Sequence, residues 1–550
     1  MAPGSLRTRR SLLEIQISFE NKTDTKTLEK LMTAWAGIQA LEPDDPHSFF
    51  VLGGLHGEPF RGAGYGNGAW WGGWCNHGNV LFPTWHRMYL MKVEAALQSI
   101  AGCEDVMLPY WDETDEYTLA HGIPSCLTDE VFTYSNGAQI PNPLRSFTFP
   151  VNVIDNVSTD EEGTPGGLYS KRAGYTTVRY PYSGLVGTPA DRESTTVHNS
   201  QWDASAATAA LNKNVLDWLN LHLVFQSDNV NPPPSIPVGI KNLYQNCLNA
   251  PNFTVFSNTT SAQHYNDGVP LADQVVPLEQ PHNDMHVALG GVDITTVKAQ
   301  DIDLSPIVGA NGDMGENDTA SFDPIFYFHH ANVDRIFWVW QKKTGNVDTL
   351  EIIPQYPGTN SVDSQGPTPG VPGNTWLTMA SPLMPFVGAN DQVAVSTDVV
   401  NIEKQLHYTY SIGSLDQADW SSVSNASAPN MLGGADGYSD QVLTVTGANK
   451  AAVSGSFLIA GYATVNGKKH LVGVQSVLSR NAVQGCANCQ THLHVKAHFG
   501  LRHLPQSVVA AKDTFSAEII GHRPTAAVSG SALASAAAVP VRKALKVSVR

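Results

Sequence analysis

The most informative stretch of this sequence reads His77-Gly-Asn-Val-Leu-Phe-Pro-Thr-Trp-His86-Arg87-Met-Tyr-Leu-Met-Lys-Val-Glu94. Pro83 suits the first turn of a helix, where its missing N–H is not needed, and it predicts a helix over Thr84–Ile100. His86 would then lie near the start of this helix, with Glu94 two turns further along the same general face. A single histidine beside a tryptophan is usually an ordinary core residue, so this stretch alone does not indicate a metal site.

Further along the chain, two histidines are separated by about one helical turn. The segment reads Glu279-Gln-Pro-His282-Asn-Asp-Met-His286, and Pro281 supports a helix over Gln280–Leu289. Side chains at positions i and i+4 of a helix lie one above the other, close enough to bind one metal ion. Because this spacing often arises by chance, it becomes informative only together with other histidines.

A third segment supplies those histidines. It reads Phe322-Asp323-Pro324-Ile-Phe-Tyr-Phe-His329-His330-Ala-Asn-Val-Asp334-Arg335 and predicts a helix over Asp323–Lys343. Burying an imidazole without a partner costs a few kcal/mol, roughly, so two adjacent histidines in an aromatic helix need a reason. The candidate ligands are nitrogen donors, which suit Cu, Zn, Fe or Ni. Two sets of three imidazoles indicate two redox metals, while a mononuclear zinc or iron site at His282 and His286 stays open.

The composition limits the other classes of function. The chain has 550 residues, 42% of them apolar and 15% charged, with a formal net charge of −17. Its length predicts two or more domains, and its acidity argues against nucleic-acid binding. No apolar run is long enough to span a membrane. The apolar run after Arg10 is too short for a signal peptide, so a cytoplasmic location is the expectation.

The amino-acid composition changes along the chain. Residues 12–412 are aromatic-rich, with helical segments between two long polar stretches, 134–205 and 227–278, that we interpret as loops. Residues 413–440 have the composition of a linker. Short β-like runs follow over 441–510, with a hairpin turn at Asn466-Gly467, and predict a small antiparallel domain. Residues 511–550 are predicted to be a low-complexity tail.

Both histidine-rich segments resemble the copper-binding signatures of the type 3 copper family, which contains tyrosinases, catechol oxidases and molluscan haemocyanins. The matching patterns are His77-x4-Phe82-Pro-x-Trp85-His86-Arg87-x2-Leu90-x3-Glu94 and Asp323-Pro324-x-Phe326-Tyr327-x2-His330-x3-Asp334. Phe49-Phe-Val-Leu-Gly-Gly-Leu-His56-Gly57-Glu-Pro59 resembles a further histidine region of fungal-type members. The likeness covers roughly 400 residues and implies a mainly α catalytic domain, a four-helix bundle holding a dicopper site between long loops. A small antiparallel β-sandwich-like C-terminal domain would follow it.

The resemblance also implies roles for individual residues. His56, His77 and His86 would bind one copper ion, and His282, His286 and His330 the other. His329 would be a buried neighbour, because the family places its ligand four residues before Asp334. Cys75 and His77 have the spacing of the thioether-linked pair of fungal tyrosinases, although a plain buried thiol at Cys75 stays open.

Glu279 and Asn283 stand where tyrosinases have a Glu and an Asn that are proposed to orient a water acting as base. This favours a tyrosinase over a pure catechol oxidase. Glu279 could also simply be an acidic residue favoured at a helix start. Tyr408-Thr-Tyr410 resembles the tyrosine motif that ends the catalytic core of the family.

The C-terminal region resembles the shielding domain of latent fungal pro-tyrosinases. Cys486-x2-Cys489, with His492, His494 and His498 nearby, could deliver Cu(I), because thiolates favour that soft ion. A redox disulfide or a zinc site is the alternative for this pair. No aromatic residue lies between Tyr462 and Cys486, so the sequence identifies no residue that plugs the active site.

The function implied by the resemblance is oxidation of phenols with two copper ions and O2. It comprises ortho-hydroxylation of monophenols and oxidation of o-diphenols to o-quinones, as in melanin biosynthesis, in an enzyme kept latent by its C-terminal domain. The partners would be phenolic small molecules and O2, with neither nucleic acid nor membrane, and a homo-oligomer stays open. The alternatives are a catechol oxidase without monophenolase activity and a haemocyanin-like oxygen carrier, although carriers are built from repeated units.

Overall fold

The computed structural model describes residues 6–57, 73–153, 171–186, 189–225, 235–291, 311–363, 368–388, 391–416, 439–453, 455–479, 493–511, 514–521 and 545–550. No helix within these ranges is long and apolar enough to cross a membrane. The α-helices are α1 (Leu12–Glu20), α2 (Lys26–Ala40), α3 (Phe49–His56), α4 (Phe82–Gln98), α5 (Glu116–His121), α6 (Pro189–Asn199), α7 (Ala204–Leu219), α8 (Ile240–Cys247), α9 (Phe253–Ser257), α10 (Thr259–Asp267), α11 (Glu279–Gly290), α12 (Ile325–Thr344) and α13 (Gln506–Ala510).

The strands are short in the first part of the chain and longer in the last part. They are β1 (Arg7–Arg9), β2 (Val131–Thr133), β3 (Gln139–Pro141), β4 (His222–Val224), β5 (Ser235–Pro237), β6 (Pro382–Val387), β7 (Val393–Val395), β8 (Tyr408–Tyr410), β9 (Val442–Asn449), β10 (Phe457–Val465), β11 (Lys468–Val477), β12 (His494–Gly500), β13 (Phe515–Gly521) and β14 (Lys546–Val549). The predicted fold class, a helical domain followed by an antiparallel β domain, is confirmed.

Helix α12 is the central element of the helical domain. Every residue from Ile325 to Gln341 is buried, as expected for a helix with packing partners on all sides. The side chains of α4 contact it, and the Arg87 Nε atom lies 2.6 Å from the Asp334 Oδ1 atom in a buried ion pair. Breaking such a pair typically costs about 3–5 kcal/mol, because a charge is left buried and unpaired. The pair therefore fixes α4 against α12.

The two ends of the helical domain meet at the same place. Strand β1 pairs in parallel with β8, with Thr8 opposite Thr409. The hydroxyl groups of Tyr408 and Tyr410 both donate to the Asp334 Oδ2 atom, each over 2.6 Å. The tyrosine motif identified in the sequence thus connects the end of the domain to its central helix.

The stretches 134–205 and 227–278 are not simply loops. They contain α6, α8, α9 and α10, together with the first two residues of α7. Asn252 and Asn258 accept hydrogen bonds from the backbone N–H groups of Val255 and Ser261, and so they cap α9 and α10. Asn, Ser and Thr are typical of loops and of helix N-caps alike, so composition alone could not separate the two.

The C-terminal β domain consists of two three-stranded sheets, with strand orders β11-β10-β13 and β12-β9-β14. All of the pairings are antiparallel. Asn466 and Gly467 connect β10 to β11 with positive φ angles of 51° and 77°, as the hairpin prediction requires. Phe499 of one sheet packs against Gly461 and Gly473 of the other, where a Cβ atom would lie within 3 Å of its ring.

The domain boundaries differ from the sequence-based ones. Strands β13 and β14 fall in the predicted tail, yet β13 pairs with β10 and β14 pairs with β9. The Ala- and Ser-rich residues between them give the whole region the composition of a low-complexity segment. The predicted linker also begins too early, because Ser414 donates to the Asp112 Oδ1 atom over 2.7 Å and Asp416 accepts from Arg335 over 2.8 Å.

Candidate metal centre

The described residues contain two buried groups of side chains that could bind metal ions. The first group consists of His56, His77 and His86, and the second of His282, His286, His329 and His330. Within each group the potential ligand atoms lie within 4.8 Å of one another. We call them the first and second clusters. The structure therefore brings together all six histidines that the resemblance selected, and adds His329 to the second cluster.

The first cluster is held by the end of one helix, the start of another and a loop. His56 is the last residue of α3, whose first turn is capped by Ser48 through the backbone N–H of Val51. His86 lies one turn into α4, and its Nδ1 atom is 2.8 Å from the carbonyl oxygen of Phe82. His77 precedes α4, and its ring centroid lies 5.1 Å from that of His86.

The second cluster is built on two helices. His282 and His286 lie on one face of α11, with their Nδ1 atoms 3.0 Å from the Asn283 Oδ1 atom and 2.9 Å from the Met314 carbonyl oxygen. Their Nε2 atoms lie 3.2 and 3.4 Å from the Nε2 atom of His330 on α12. An acceptor at Nδ1 fixes the tautomer, and it leaves the Nε2 lone pairs directed at a common point.

The two clusters face each other directly. The rings of His86 and His330 stack with their centroids 4.6 Å apart and their planes at 19°. Those of His77 and His282 lie 5.7 Å apart. Phe326 stacks on His330 at 4.0 Å and so closes one side of the centre with apolar surface.

Burial keeps these imidazoles uncharged. Burial, together with the smaller effect of neighbouring histidines, lowers the pKa of His86 and of His286 to about 3. For His282 and His330, burial and then the surrounding histidines hold the pKa well below its usual value. Neutral imidazole is the form that binds a metal ion.

The donor set fits copper. The Nε2 atom of His86 is buried and has no hydrogen-bond partner among the described residues. Such atoms are costly unless something binds them. Imidazole-only ligation suits copper, and two adjacent clusters suit a dinuclear centre.

Glu279 and Asn283 lie beside the second cluster, and both are buried. One oxygen of Glu279 accepts from the backbone N–H of Gly78 over 2.7 Å, and the other accepts from Thr259 N over 2.8 Å and Thr259 Oγ1 over 3.0 Å. Burial raises the pKa of Glu279, and these hydrogen bonds oppose the increase. Glu279 thus joins α11 to the start of α10 and to the residue that follows His77.

The cysteine predictions stay open. Cys75 is a buried thiol, and the Asn317 Nδ2 atom lies 3.7 Å from its sulfur, while the thioether to His77 stays a prediction. Cys486, Cys489 and His492 lie outside the described residues. His498, one of the histidines near the predicted copper-delivery pair, places its Nε2 atom 3.0 Å from the Asp267 Oδ1 atom.

Sequence reasoning missed one member of this site. Glu113 is fully buried, with its Oε1 atom 2.6 Å from the Nδ1 atom of His329. It lies between the buried Trp111 and the start of α5, and no spacing relates it to the histidine segments. Two adjacent acids at 112 and 113 were the signal available, but such pairs are common on protein surfaces.

Comparison with known proteins identifies the family. A family model described as "Common central domain of tyrosinase" matches residues 46–343, which include both clusters. The chain belongs to the tyrosinase family. A tyrosinase of Hahella sp. (strain CCB-MM4) is 47% identical over 540 residues, covering 94% of this chain and 90% of that protein. A tyrosinase of Aspergillus oryzae is 46% identical over 492 residues, covering 86% and 85%.

A solved structure supports the same assignment. The tyrosinase from Burkholderia thailandensis, determined at low pH, is 46% identical and superposes with a TM-score of 0.80. The match covers 99% of this chain and all of that one. This member of the tyrosinase family is therefore a copper-dependent phenol oxidase with a dinuclear copper centre.

Proposed function

We propose that this enzyme hydroxylates monophenols at the ortho position and oxidises o-diphenols to o-quinones, using O2. The observation that carries the proposal is the pair of facing clusters, with His86 and His330 stacked 4.6 Å apart. In this proposal His56, His77 and His86 bind the first copper ion, and His282, His286 and His330 bind the second. When bound, the two copper ions supply the redox chemistry with O2.

The chain's own residues orient the ligands and exclude water. The carbonyl oxygens of Phe82 and Met314 and the side chain of Asn283 each hold one imidazole through its Nδ1 atom. Phe326 covers His330, and its ring centroid also lies 4.8 Å from that of His56. An apolar wall of this kind keeps bulk water away from the ligands.

Asn283 and Glu279 are the residues proposed to help a monophenol lose its proton. A phenolic hydroxyl has an ordinary pKa near 10, so it is protonated at neutral pH and needs a base before hydroxylation. A carboxylate has about four lone-pair sites, and the hydrogen bonds of Glu279 to Gly78 and Thr259 leave it able to accept from a water as well. We propose that Glu279 and Asn283 together hold the water that accepts the phenolic proton.

Latency is proposed to arise from docking of the C-terminal β domain beside the second cluster. Strand β11 packs against α11, where Ser476 donates a hydrogen bond to Asp284. Lys496 pairs with the Asp267 side chain at the end of α10, and Arg550 donates to the Asp267 carbonyl oxygen over 2.8 Å. A domain held there would restrict the entry of a phenol without replacing any copper ligand.

The test is a comparison of O2 uptake on a tyrosine-like monophenol and on a catechol. Both are measured with the copper-loaded full chain and again after proteolytic removal of the residues beyond Asp416. We expect both phenols to be oxidised, and faster after removal. Oxidation of catechol alone would make the protein a catechol oxidase, and oxidation of neither phenol by copper-replete protein would contradict the proposal. Equal rates before and after removal would contradict latency.

A further inference from the structure

A group of three side chains outside both clusters takes no part in the proposed reaction. The Nζ atom of Lys171 lies 3.4 Å from the Asp313 Oδ1 atom, and the side chains of this ion pair are only 3% and 0% exposed. The hydroxyl group of the half-buried Tyr175 donates to the Asp313 Oδ2 atom over 2.5 Å. Because taking two charges out of water is costly, such a pair adds little net stability, but it can fix one arrangement of the chain.

The arrangement that Asp313 fixes is the turn formed by residues 313–316, which we call the Met314 turn. The backbone N–H of Val178 donates to the Asp313 Oδ2 atom over 2.8 Å, and the backbone N–H of Asp313 donates to the Val178 carbonyl oxygen over 2.8 Å. The backbone N–H of Glu316 then donates to the Asp313 carbonyl oxygen over 3.2 Å. Asp313 is therefore held through its side chain and its backbone at the start of the turn.

The Met314 turn packs closely against the end of α11. The backbone N–H of Gly312, just before the turn, donates to the Gly290 carbonyl oxygen over 2.7 Å. A Cβ atom at Gly290 would lie 1.9 Å from the backbone nitrogen of Gly315, so a larger residue does not fit there. The Met314 carbonyl oxygen lies 2.9 Å from the Nδ1 atom of His286, one helical turn before Gly290. The position of the turn against α11 therefore sets this hydrogen bond.

An acceptor at Nδ1 keeps the imidazole proton on that atom and leaves the Nε2 lone pair for a metal ion. We propose that Asp313 is a positioning residue for the copper ion of the second cluster, because it fixes the carbonyl oxygen that selects the tautomer of His286. Lys171 and Tyr175 act through Asp313, since they hold its two carboxylate oxygens. This role rests on the proposed assignment of His286 as a ligand and adds no ligand to the set.

The experiment measures the copper affinity of each cluster separately in the full chain. His86→Ala disables the first cluster and His286→Ala disables the second, and Tyr175→Phe is added to each of these proteins. Tyr175→Phe removes one hydroxyl group and leaves the ion pair intact, so it is a mild change for the fold. Competition with a chelator should show about 10-fold weaker copper binding at the second cluster, the lower end of the range for residues that support a ligand. Binding at the first cluster should change much less.

Further variants distinguish positioning from a general loss of stability. Lys171→Met should weaken copper binding at the second cluster at least as much, and Lys171→Arg, which keeps the positive charge, should restore most of it. Tyr410→Phe is the matched control, because the half-buried Tyr410 also donates to a buried, ion-paired carboxylate, that of Asp334. It should not weaken the second cluster selectively. Unchanged affinity of the second cluster in Tyr175→Phe, or an equal loss at both clusters, would overturn the positioning role.

A last comparison separates failure of the positioning role from failure of the ligand assignment. His86→Ala with His286→Ala must bind copper more weakly than His86→Ala alone. If it does not, His286 is not a ligand, and the positioning role fails with it. If it does, while Tyr175→Phe has no effect, the ligand assignment stands and the positioning role alone is wrong.

Discussion

The two clusters of the metal centre are held in different ways. In the second cluster, every member lies on α11 or α12, so helix geometry sets the spacing of the ligands. In the first cluster, His56 closes a short helix, His77 lies outside any helix, and only His86 lies within a long one. The first cluster thus depends on the loop before α4 for its geometry.

This difference indicates where additional restraints matter. The side chain of Glu279, at the start of α11, accepts a hydrogen bond from the backbone N–H of Gly78. Helix α11 therefore restrains the loop that carries His77. A covalent bond between Cys75 and His77 would restrain the same loop from its other side. We infer that the first cluster needs such restraints because no helix fixes His77.

The largest expected effect is the loss of a ligand from either cluster. His86→Ala and His286→Ala should each lower the rate of phenol oxidation by more than about 100-fold. Mutating a residue that only hydrogen-bonds a metal ligand typically lowers metal affinity or activity by about 10- to 100-fold, and loss of the ligand itself should cost more. Copper analysis should show one ion lost per chain. His121→Ala, an exposed histidine on α5, is the control. Near-normal copper and activity in either variant would refute its ligand role.

The next effect separates the substrates. Asn283→Leu cannot hold the proposed water, so activity on monophenols should fall by about 10²–10⁴-fold, the range of general-base assistance. Activity on catechols should fall much less. Because the Asn283 Oδ1 atom also holds His282, copper content is measured in the same sample. An equal loss on both substrates at full copper occupancy would exclude the water-holding role.

A smaller effect is expected at the contact between the two domains. Asp267→Lys should weaken docking and raise the activity of the full chain by about 2- to 5-fold, because half-exposed ion pairs contribute roughly 0.2–1 kcal/mol each. Adding Lys496→Asp restores a pair of opposite charges and should reduce the activity again. Activity of the single variant that stays at the starting level would argue against latency through this surface.

The smallest effect concerns the loop before α4. Tryptic peptides of copper-loaded protein should contain Cys75 and His77 joined by a bond that reduction does not break. Cys75→Ser should leave both copper ions bound at high copper concentration, yet the ion of the first cluster should be lost to a chelator more readily than the other. Recovery of a freely alkylatable Cys75 from active protein would remove the cross-link.

Hydrophobic periodicity and helix-start signals in the sequence were sufficient to predict the bounds of the long helices. Helices α4, α11 and α12 begin and end within two residues of the predicted bounds. Pro83, Pro281 and Pro324 all stand within the first three residues of a helix or just before it, as their fixed φ angle favours. These local signals are read directly from neighbouring residues.

The parts that sequence reasoning missed depend on distant contacts. Strand β14 pairs with β9, about a hundred residues earlier, and its four alternating polar and apolar residues are too short a run to stand out from the sequence before them. Glu113 meets His329 across 216 positions of the chain. The family motif selects His330 by its spacing from Asp334, but it cannot show that a buried carboxylate contacts the neighbouring His329.

The parallel pairing of β1 with β8 bears on how the enzyme can be processed. Arg9 places its guanidinium group 3.8 Å from the ring centroid of Tyr408 and donates to Glu94 over 2.9 Å, so the first strand is secured to the last one and to α4. All of the residues that form these contacts precede Asp416 in the chain. A protease that cuts between residues 417 and 438 would therefore sever none of them. After such a cut, the first and last strands of the helical domain would still be paired with each other. Removal of the C-terminal β domain would therefore leave the contacts around the copper ligands in place.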